Sequence, residues 1–346
     1  MGPITTDDVF DLMDGYITSA ALNSALELGL FWLLEPHPQD APSVARALDI
    51  PVGRCRHWLQ LLTTLGLLDQ GPQGYGPSTA ARAAIIDACS QDTWVLLAQD
   101  ARDRFPAVLD LARHIHEPGS VWVAQGLAPP DYFVQMVESP ERARRFTRML
   151  YELHAPLAEA LAGSLDLTGV DRLMDLGGGS GVMSLALLRR YPRLTAVVVD
   201  VATVCAAGRE IARDLAESSL EERISYHAAN FVHDELPSGF DLILECDVGG
   251  YSETLLGKLW TALNSGGRLV IVDHFAPAQG LAPATPPYPH WAFLGSLHTP
   301  DASRPTATEI KTRLAGAGFR RLSEEILPQR GTLRWTKDWV VLEASK

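Results

Sequence analysis

Leu173-Met174-Asp175-Leu176-Gly177-Gly178-Gly179-Ser180-Gly181 is the stretch that decides the fold. An apolar run containing an acid enters a glycine cluster, and Val182–Arg190 follows as a helix carrying Leu185, Leu187 and Leu188. Glycine has no Cβ to bar close approach and takes positive φ in a tight turn. A ligand can therefore lie against bare backbone between the strand and the helix. The spacing is G-x-G-x-G, with Val182 where the dinucleotide fingerprint G-x-G-x-x-G has its third glycine. Asp175 precedes the glycines and Asp200 ends the next expected strand, Leu194–Val199. A carboxylate at the end of the second strand of a doubly wound sheet suits a ribose diol.

Strand Arg172–Leu176, glycine turn, helix, strand and acid, in that order, resemble the first two motifs of class I S-adenosylmethionine (SAM)-dependent methyltransferases, whose signature is hydrophobic-Asp-x-Gly-x-Gly-x-Gly. The plainer alternative is a structural glycine turn in another Rossmann-like fold. The resemblance implies SAM as cofactor, bordered by Asp175, Gly177, Gly179 and Asp200, with Val201 as an apolar contact to the adenosine. In the family an acid and an aromatic after the third strand bracket the adenine. Here that segment is Ala229-Asn230-Phe231, so an amide replaces the acid while keeping hydrogen-bonding capacity. Leu236-Pro237-Ser238-Gly239-Phe240-Asp241 matches the family's approach to the fourth strand.

Further out, the alternation of strand and helix continues through Ile224–His227, Asp241–Glu245 and Gly267–Asp273. Arg320–Ile326 and Trp339–Ala344 form an antiparallel pair at one edge. This is an α/β pattern giving a Rossmann-like, mostly parallel seven-stranded sheet over residues 166–346. Toward the N-terminus, Asp11–Leu34 reads as one helix, apolar almost all round and so buried on several sides, often against another subunit. Asp40–Leu48 (Ser43 a candidate N-cap), Gly53–Leu68 and a turn between short strands at Leu67–Asp69 and Tyr75–Pro77 complete a winged helix. Arg54, Arg56 and His57 on its third helix raise DNA binding, against which stand the absence of a basic wing and a net charge of −13. Residues 1–100 instead resemble the dimerisation domain of small-molecule O-methyltransferases, which implies a homodimer. Residues 101–165 read as a helical linker. Its last helix starts at Ser139-Pro140, is expected to kink at Pro156, and in the family borders the substrate cavity.

The chain has 346 residues, 47% apolar, with four dispersed cysteines, no C-x-x-C pair and no signal or membrane-spanning run. These features describe a cytoplasmic protein with reduced thiols that acts on neither nucleic acid nor membrane, and the resemblance implies a small-molecule substrate.

The resemblance also exposes a gap. Family O-methyltransferases place a histidine after the fourth strand as general base, oriented by two acids. Its position here is Gly250, or Tyr251 with a one-residue slip. Asp273 stands at the first acid's place and Arg304 near the second's. Three chemistries fit. The acceptor needs no base; or a base comes from elsewhere, such as His154, His274, His290 or His298; or the fold serves a non-methylating cyclisation, rearrangement or decarboxylation that retains SAM. Related α-keto acid C-methyltransferases hold a metal with histidines around positions 250 and 298. His298 is therefore a candidate ligand, which Asp247, Asp273 or His290 would have to complete, with packing or substrate contact as the alternative; no full metal set is assigned. Ala276–His290, with five prolines before Trp291 and Phe293, is expected to form a substrate-facing lid. The expected function is SAM-dependent O- or C-methylation in natural-product biosynthesis without the usual histidine.

Overall fold

A computed structural model describes residues 4–129, 131–215, 217–277, 288–300, 304–327 and 339–346. The chain forms two compact units, Met1–Asp110 and Leu111–Lys346.

In the first unit, helices Ala41–Ala47 and Val52–Thr64 lead into strands β1 (Leu68–Gly71) and β2 (Gly74–Pro77), which pair antiparallel as the wing. Leu30, Phe31, Leu34, Val44, Leu59 and Leu62 form the core. The single helix expected over Asp11–Leu34 is instead divided into Thr6–Met13, Gly15–Glu27 and Leu30–Leu34. Gly29, at φ 70°, takes the left-handed conformation that ends a helix, and apolar periodicity alone does not reveal such a break. Helix Thr6–Met13 buries nothing, and Val9, Phe10, Leu12 and Met13 are exposed. Asp40, not Ser43, caps Ala41–Ala47: its Oδ1 accepts the Ser43 N–H at 2.8 Å. Pro42 occupies the first turn, so the cap must precede it.

The second unit begins with short helices, and then Pro140–Ser164 runs 25 residues. Ser139 Oγ accepts the Arg142 N–H at 3.2 Å, and the helix continues through Pro156. Strands β3 (Arg172–Leu176), β4 (Thr195–Asp200), β5 (Ile224–Ala228), β6 (Phe240–Cys246), β7 (Leu263–Asp273), β8 (Arg320–Ile326) and β9 (Val340–Ser345) form one sheet, in the order β5-β4-β3-β6-β7-β9-β8. The first five strands in that order run parallel; β9 runs antiparallel to β7, and β8, antiparallel to β9, again has the direction of the first five.

Side-chain alternation divides the core between two faces. Leu173, Leu244 and Val270 pack beneath Leu161, Leu185 and Leu188 on one. Met174, Ile243 and Ile271 meet Leu256, Leu259 and Leu314 on the other. From β3 the chain winds outward to β5 and returns to β6 on β3's other flank, so β3 sits at the switch point where open α/β sheets bind ligands.

The helix Ala202–Asp214 closes on the glycine turn through Gly208. A Cβ there would lie 2.4 Å from Tyr226 Cε1 and 2.8 Å from the Gly179 carbonyl oxygen. Gly208→Ala should therefore cost about 1–3 kcal/mol through overpacking, read as a lower denaturation midpoint. An unchanged midpoint would show that the turn is not packed this tightly.

Candidate active site

The turn after β3 is built so that backbone, not side chains, faces its surroundings. A Cβ on Gly178 would lie 2.4 Å from Asp175 Cγ, and one on Gly177 would lie 2.7 Å from Val248 Cγ2. Gly179, at φ +56°, has nothing within 4 Å of its Cβ position, so its α-carbon faces open space. Two carboxylates flank the turn. Asp200, at the end of β4, accepts the Gly179 N–H at 3.0 Å on Oδ2 and the Val201 N–H at 2.7 Å on Oδ1. Asp175 is fully buried; its Oδ2 accepts the Ser184 hydroxyl at 2.7 Å, and its Oδ1 has no hydrogen-bond partner among the described residues. Burial pushes both carboxyls up to about 6. A cation nearby would favour both charged forms, so the cradle suits a positively charged ligand such as a sulfonium nucleoside. Phe231 lies beside Gly177 and packs on the core. Asn230 Oδ1 accepts the Val232 N–H at 3.1 Å, leaving its amide NH2 as the group available to a ligand. Val201 packs with Met136, Ala143 and Val204.

Beyond the turn, the ends of β6 and β7 carry a second group of polar side chains. Asp273 closes β7; its Oδ1 accepts the His274 N–H at 2.6 Å and an Arg304 guanidinium N–H at 2.7 Å. Its Oδ2 accepts the Tyr251 hydroxyl. Burial and the surrounding carboxylates raise the Tyr251 phenol far above its usual range, which makes it a fixed donor rather than a base. Glu245, fully buried on β6, accepts the Gly250 N–H at 3.3 Å on Oε1, while Oε2 has no partner among the described residues. Burial, with Asp273 nearby, lifts its carboxyl to about 8, so it is neutral at pH 7.

Asp247 follows at φ +55°, a left-handed conformation costing a side-chain-bearing residue about 1–2 kcal/mol. Strand alternation would put it on the face of Glu245; the positive φ re-aims it. Its Oδ2 lies 3.9 Å from His154 Nε2, and its Oδ1 lies 3.9 Å from an Arg304 nitrogen. Burial and Asp273 raise its carboxyl to about 6, partly opposed by Arg304. His154, on helix Pro140–Ser164, is held down to about 4 chiefly by burial, so its imidazole is neutral.

Of the catalytic candidates named from sequence, His154, Asp273 and Tyr251 thus belong to one cluster. His298 stacks on the buried Trp122, ring centroids 4.3 Å apart. His290 is exposed on helix Tyr288–Ser296. Among the described residues, no three His, Cys, Asp or Glu side chains are arranged to hold a metal. Most of the expected lid, residues 278–287, lies outside the described residues. Glu245 escapes the sequence reading, and Asp247 enters it only as one of the groups, with Asp273 and His290, that could complete a metal site with His298. Glu245 was signalled, because an acid inside a strand buried on both faces needs a reason. Nothing in the sequence announces the left-handed turn at Asp247.

Residues 110–320 match the family model of the O-methyltransferase domain, and residues 10–86 match that of the O-methyltransferase dimerisation domain. The chain belongs to the O-methyltransferase family. This methyltransferase is 31% identical over 275 residues to the 3-hydroxy-5-methyl-1-naphthoate 3-O-methyltransferase of Streptomyces sahachiroi, covering 76% of this chain and 75% of that one. It is 29% identical over 344 residues to the N,N-dimethyltransferase OxyT of Streptomyces rimosus, 96% and 95% of the two chains. Human N-acetylserotonin methyltransferase, solved with SAM, shares the fold at a TM-score of 0.78 and 20% identity, over 100% of this chain and 99% of that one. The methyltransferase is SAM-dependent, and among its described residues no helix is long and apolar enough to cross a membrane.

Glu245 gives this site a stability signature. An unfolded glutamate ionises near 4.5, whereas the folded one holds its proton to about 8. The raised folded value favours the native state fully below the unfolded pKa, and that advantage is lost as pH rises towards 8. Glu245→Gln keeps an acceptor for Gly250 and removes the ionisation. It should gain about 1–3 kcal/mol over the parent at pH 7.5 and much less at pH 5, by denaturant unfolding. A pH-independent difference would place the carboxyl in contact with water.

Proposed function

We propose that the methyltransferase moves the methyl group of SAM onto a small-molecule acceptor of natural-product biosynthesis, at oxygen or carbon, without a histidine base at position 250. The observation that carries this reading is the cradle itself: bare backbone at Gly177–Gly179 flanked by the buried carboxyl of Asp175 and the half-buried one of Asp200. It lies at the carboxyl edge of the sheet that also carries Asp247 and Asp273. Bound SAM supplies an electrophilic methyl on a cationic sulfonium. Asp200 would accept hydroxyls of the ribose, Gly177 and Gly179 would let the ligand approach the backbone, and Phe231, Val201 and the Asn230 amide would contact the adenosine. The Asp175 charge, uncompensated on Oδ1, favours a cation at the turn. The 3-hydroxynaphthoate acceptor of the Streptomyces sahachiroi relative is the first to try here. The protein acts in the cytoplasm as a homodimer through its N-terminal domain, whose first helix presents Phe10, Leu12 and Met13 to a second copy.

Titration calorimetry should show SAM binding and no NAD binding. Asp200→Ala should weaken SAM at least 30-fold, and affinity should fall as pH drops below about 6, where Asp175 and Asp200 take up protons. With 3-hydroxy-5-methyl-1-naphthoate or another acceptor, S-adenosylhomocysteine should accumulate, and light scattering should give twice the chain mass. Tight SAM binding with no transfer to any acceptor would favour a repurposed reaction; no SAM binding would end the reading.

A further inference from the structure

We propose that Asp247 is the base of this enzyme, and that the acceptor it serves is a neutral aromatic hydroxyl. The inference rests on the methyl-transfer reading above and names the group that replaces the missing imidazole.

Position matters first. Asp247 directly follows β6, and its N–H donates to the Val272 carbonyl at 2.9 Å, so its backbone is fixed on the sheet. Three residues on, Gly250 carries no side chain that could compete for the acceptor. The left-handed backbone at Asp247 turns the carboxyl out of the alternation that buries Glu245, and such local strain collects at functional sites. The side chain stays 38% exposed, whereas Asp273 is 5% exposed and tied to Tyr251 and Arg304. Asp247 is thus the reachable acid of the cluster.

Its surroundings are those of a base waiting for a donor. His154 Nε2 and an Arg304 nitrogen flank its two oxygens at 3.9 Å each, beyond hydrogen-bond reach. Among the described residues no donor occupies either oxygen. A hydroxyl entering here can donate to Asp247, with the Arg304 guanidinium on one side of the carboxylate and the neutral His154 imidazole on the other. Partial desolvation and the neighbouring Asp273 also raise the carboxyl, to about 6, which suits proton abstraction near pH 7.

The same electrostatics select the acceptor. Asp247 and Asp273 together disfavour a carboxylate nucleophile, which would bring a third negative charge. An acceptor already ionised needs no base. An aliphatic hydroxyl is too weak an acid for a carboxylate to assist, whereas a phenol, near 10, is within reach. In the step, the O–H bond breaks and its proton passes to an Asp247 oxygen. The oxygen's electron pair forms the bond to the methyl carbon, and the carbon–sulfur bond breaks with its pair returning to sulfur.

The test compares full-length enzyme with Asp247→Asn, an isostere tolerated in left-handed backbone, and Asp247→Gly, which relieves the strain. Acceptors are a neutral naphthol and a naphthol series with nitro substituents that lower the hydroxyl's own pKa. Both variants should keep SAM affinity within twofold and a denaturation midpoint no lower than the parent's, while kcat falls about 100-fold. That loss should shrink as the acceptor becomes ionised without help. With SAM held saturating at every pH, so that protonation of Asp175 and Asp200 does not enter, the rising limb of kcat/KM for the acceptor near pH 6 should vanish, with His154, His274, Arg304, Asp273, Glu245 and Tyr251 unchanged around the site. Without cofactor or acceptor, the 13C carboxyl signal of labelled aspartate that disappears in Asp247→Asn should titrate near 6 in the parent. Activity within threefold of the parent, a loss independent of acceptor pKa, or a carboxyl titrating near 4 would each overturn the proposal. If the parent binds SAM but methylates nothing, the methyl-transfer reading fails, and the carboxyl titration alone decides whether Asp247 is poised as a base.

Discussion

The Asp200 carboxylate, holding the Gly179 and Val201 N–H groups at once, is the constraint on which the rest depends. It ties the glycine turn of β3 to the end of β4, while Gly177 donates to the Val199 carbonyl at 2.8 Å from the same turn. Because the turn is pinned, helix Val182–Arg190 leaves it at a fixed angle, and seven of its nine residues are buried against the sheet. Gly208 then lets a second helix close over the turn. Removing the tie would therefore disturb cofactor recognition and packing together, which explains why a partly desolvated carboxylate is tolerated there.

The carboxyl edge of the sheet concentrates groups that a stable core would avoid. Asp175, Glu245, Asp247 and Asp273 all lie at or just beyond the ends of β3, β6 and β7. The chain limits the resulting repulsion in three ways. Glu245 stays protonated, Asp273 is neutralised by Arg304 and the Tyr251 hydroxyl, and Asp247 is turned aside by its backbone. Where the family resemblance places a histidine and two acids, this chain has a glycine, an aspartate and an arginine. The polarity of the site is thus rearranged rather than lost.

The strand–turn–helix core was legible because its signals are local. Gly177–Gly181 can only be a turn, and Leu194–Val199 and Asp241–Glu245 are β-rich runs between helical periodicities. Ser139-Pro140 marked a helix start that the structure reproduces. What stayed hidden depends on backbone choices of single residues or on contacts between distant ones. Gly29 divides a helix that hydrophobic pattern joins, and Asp40 displaces Ser43 as a cap because of Pro42. The pairing of Tyr251 with Asp273 across 22 residues, and of His154 with Asp247, arises only once β6, β7 and the long helix converge. His298, weighed between ligand and packing roles, stacks on Trp122, a contact that no spacing in the sequence announces.

The most direct measurement is a crystal structure of the protein with S-adenosylhomocysteine. The account predicts the ribose hydroxyls on Asp200, the amino-acid portion along Gly177–Gly179, the adenine beside Phe231, and the sulfur facing Asp247. A nucleoside bound elsewhere, or an unfilled glycine turn at saturating ligand, would contradict it.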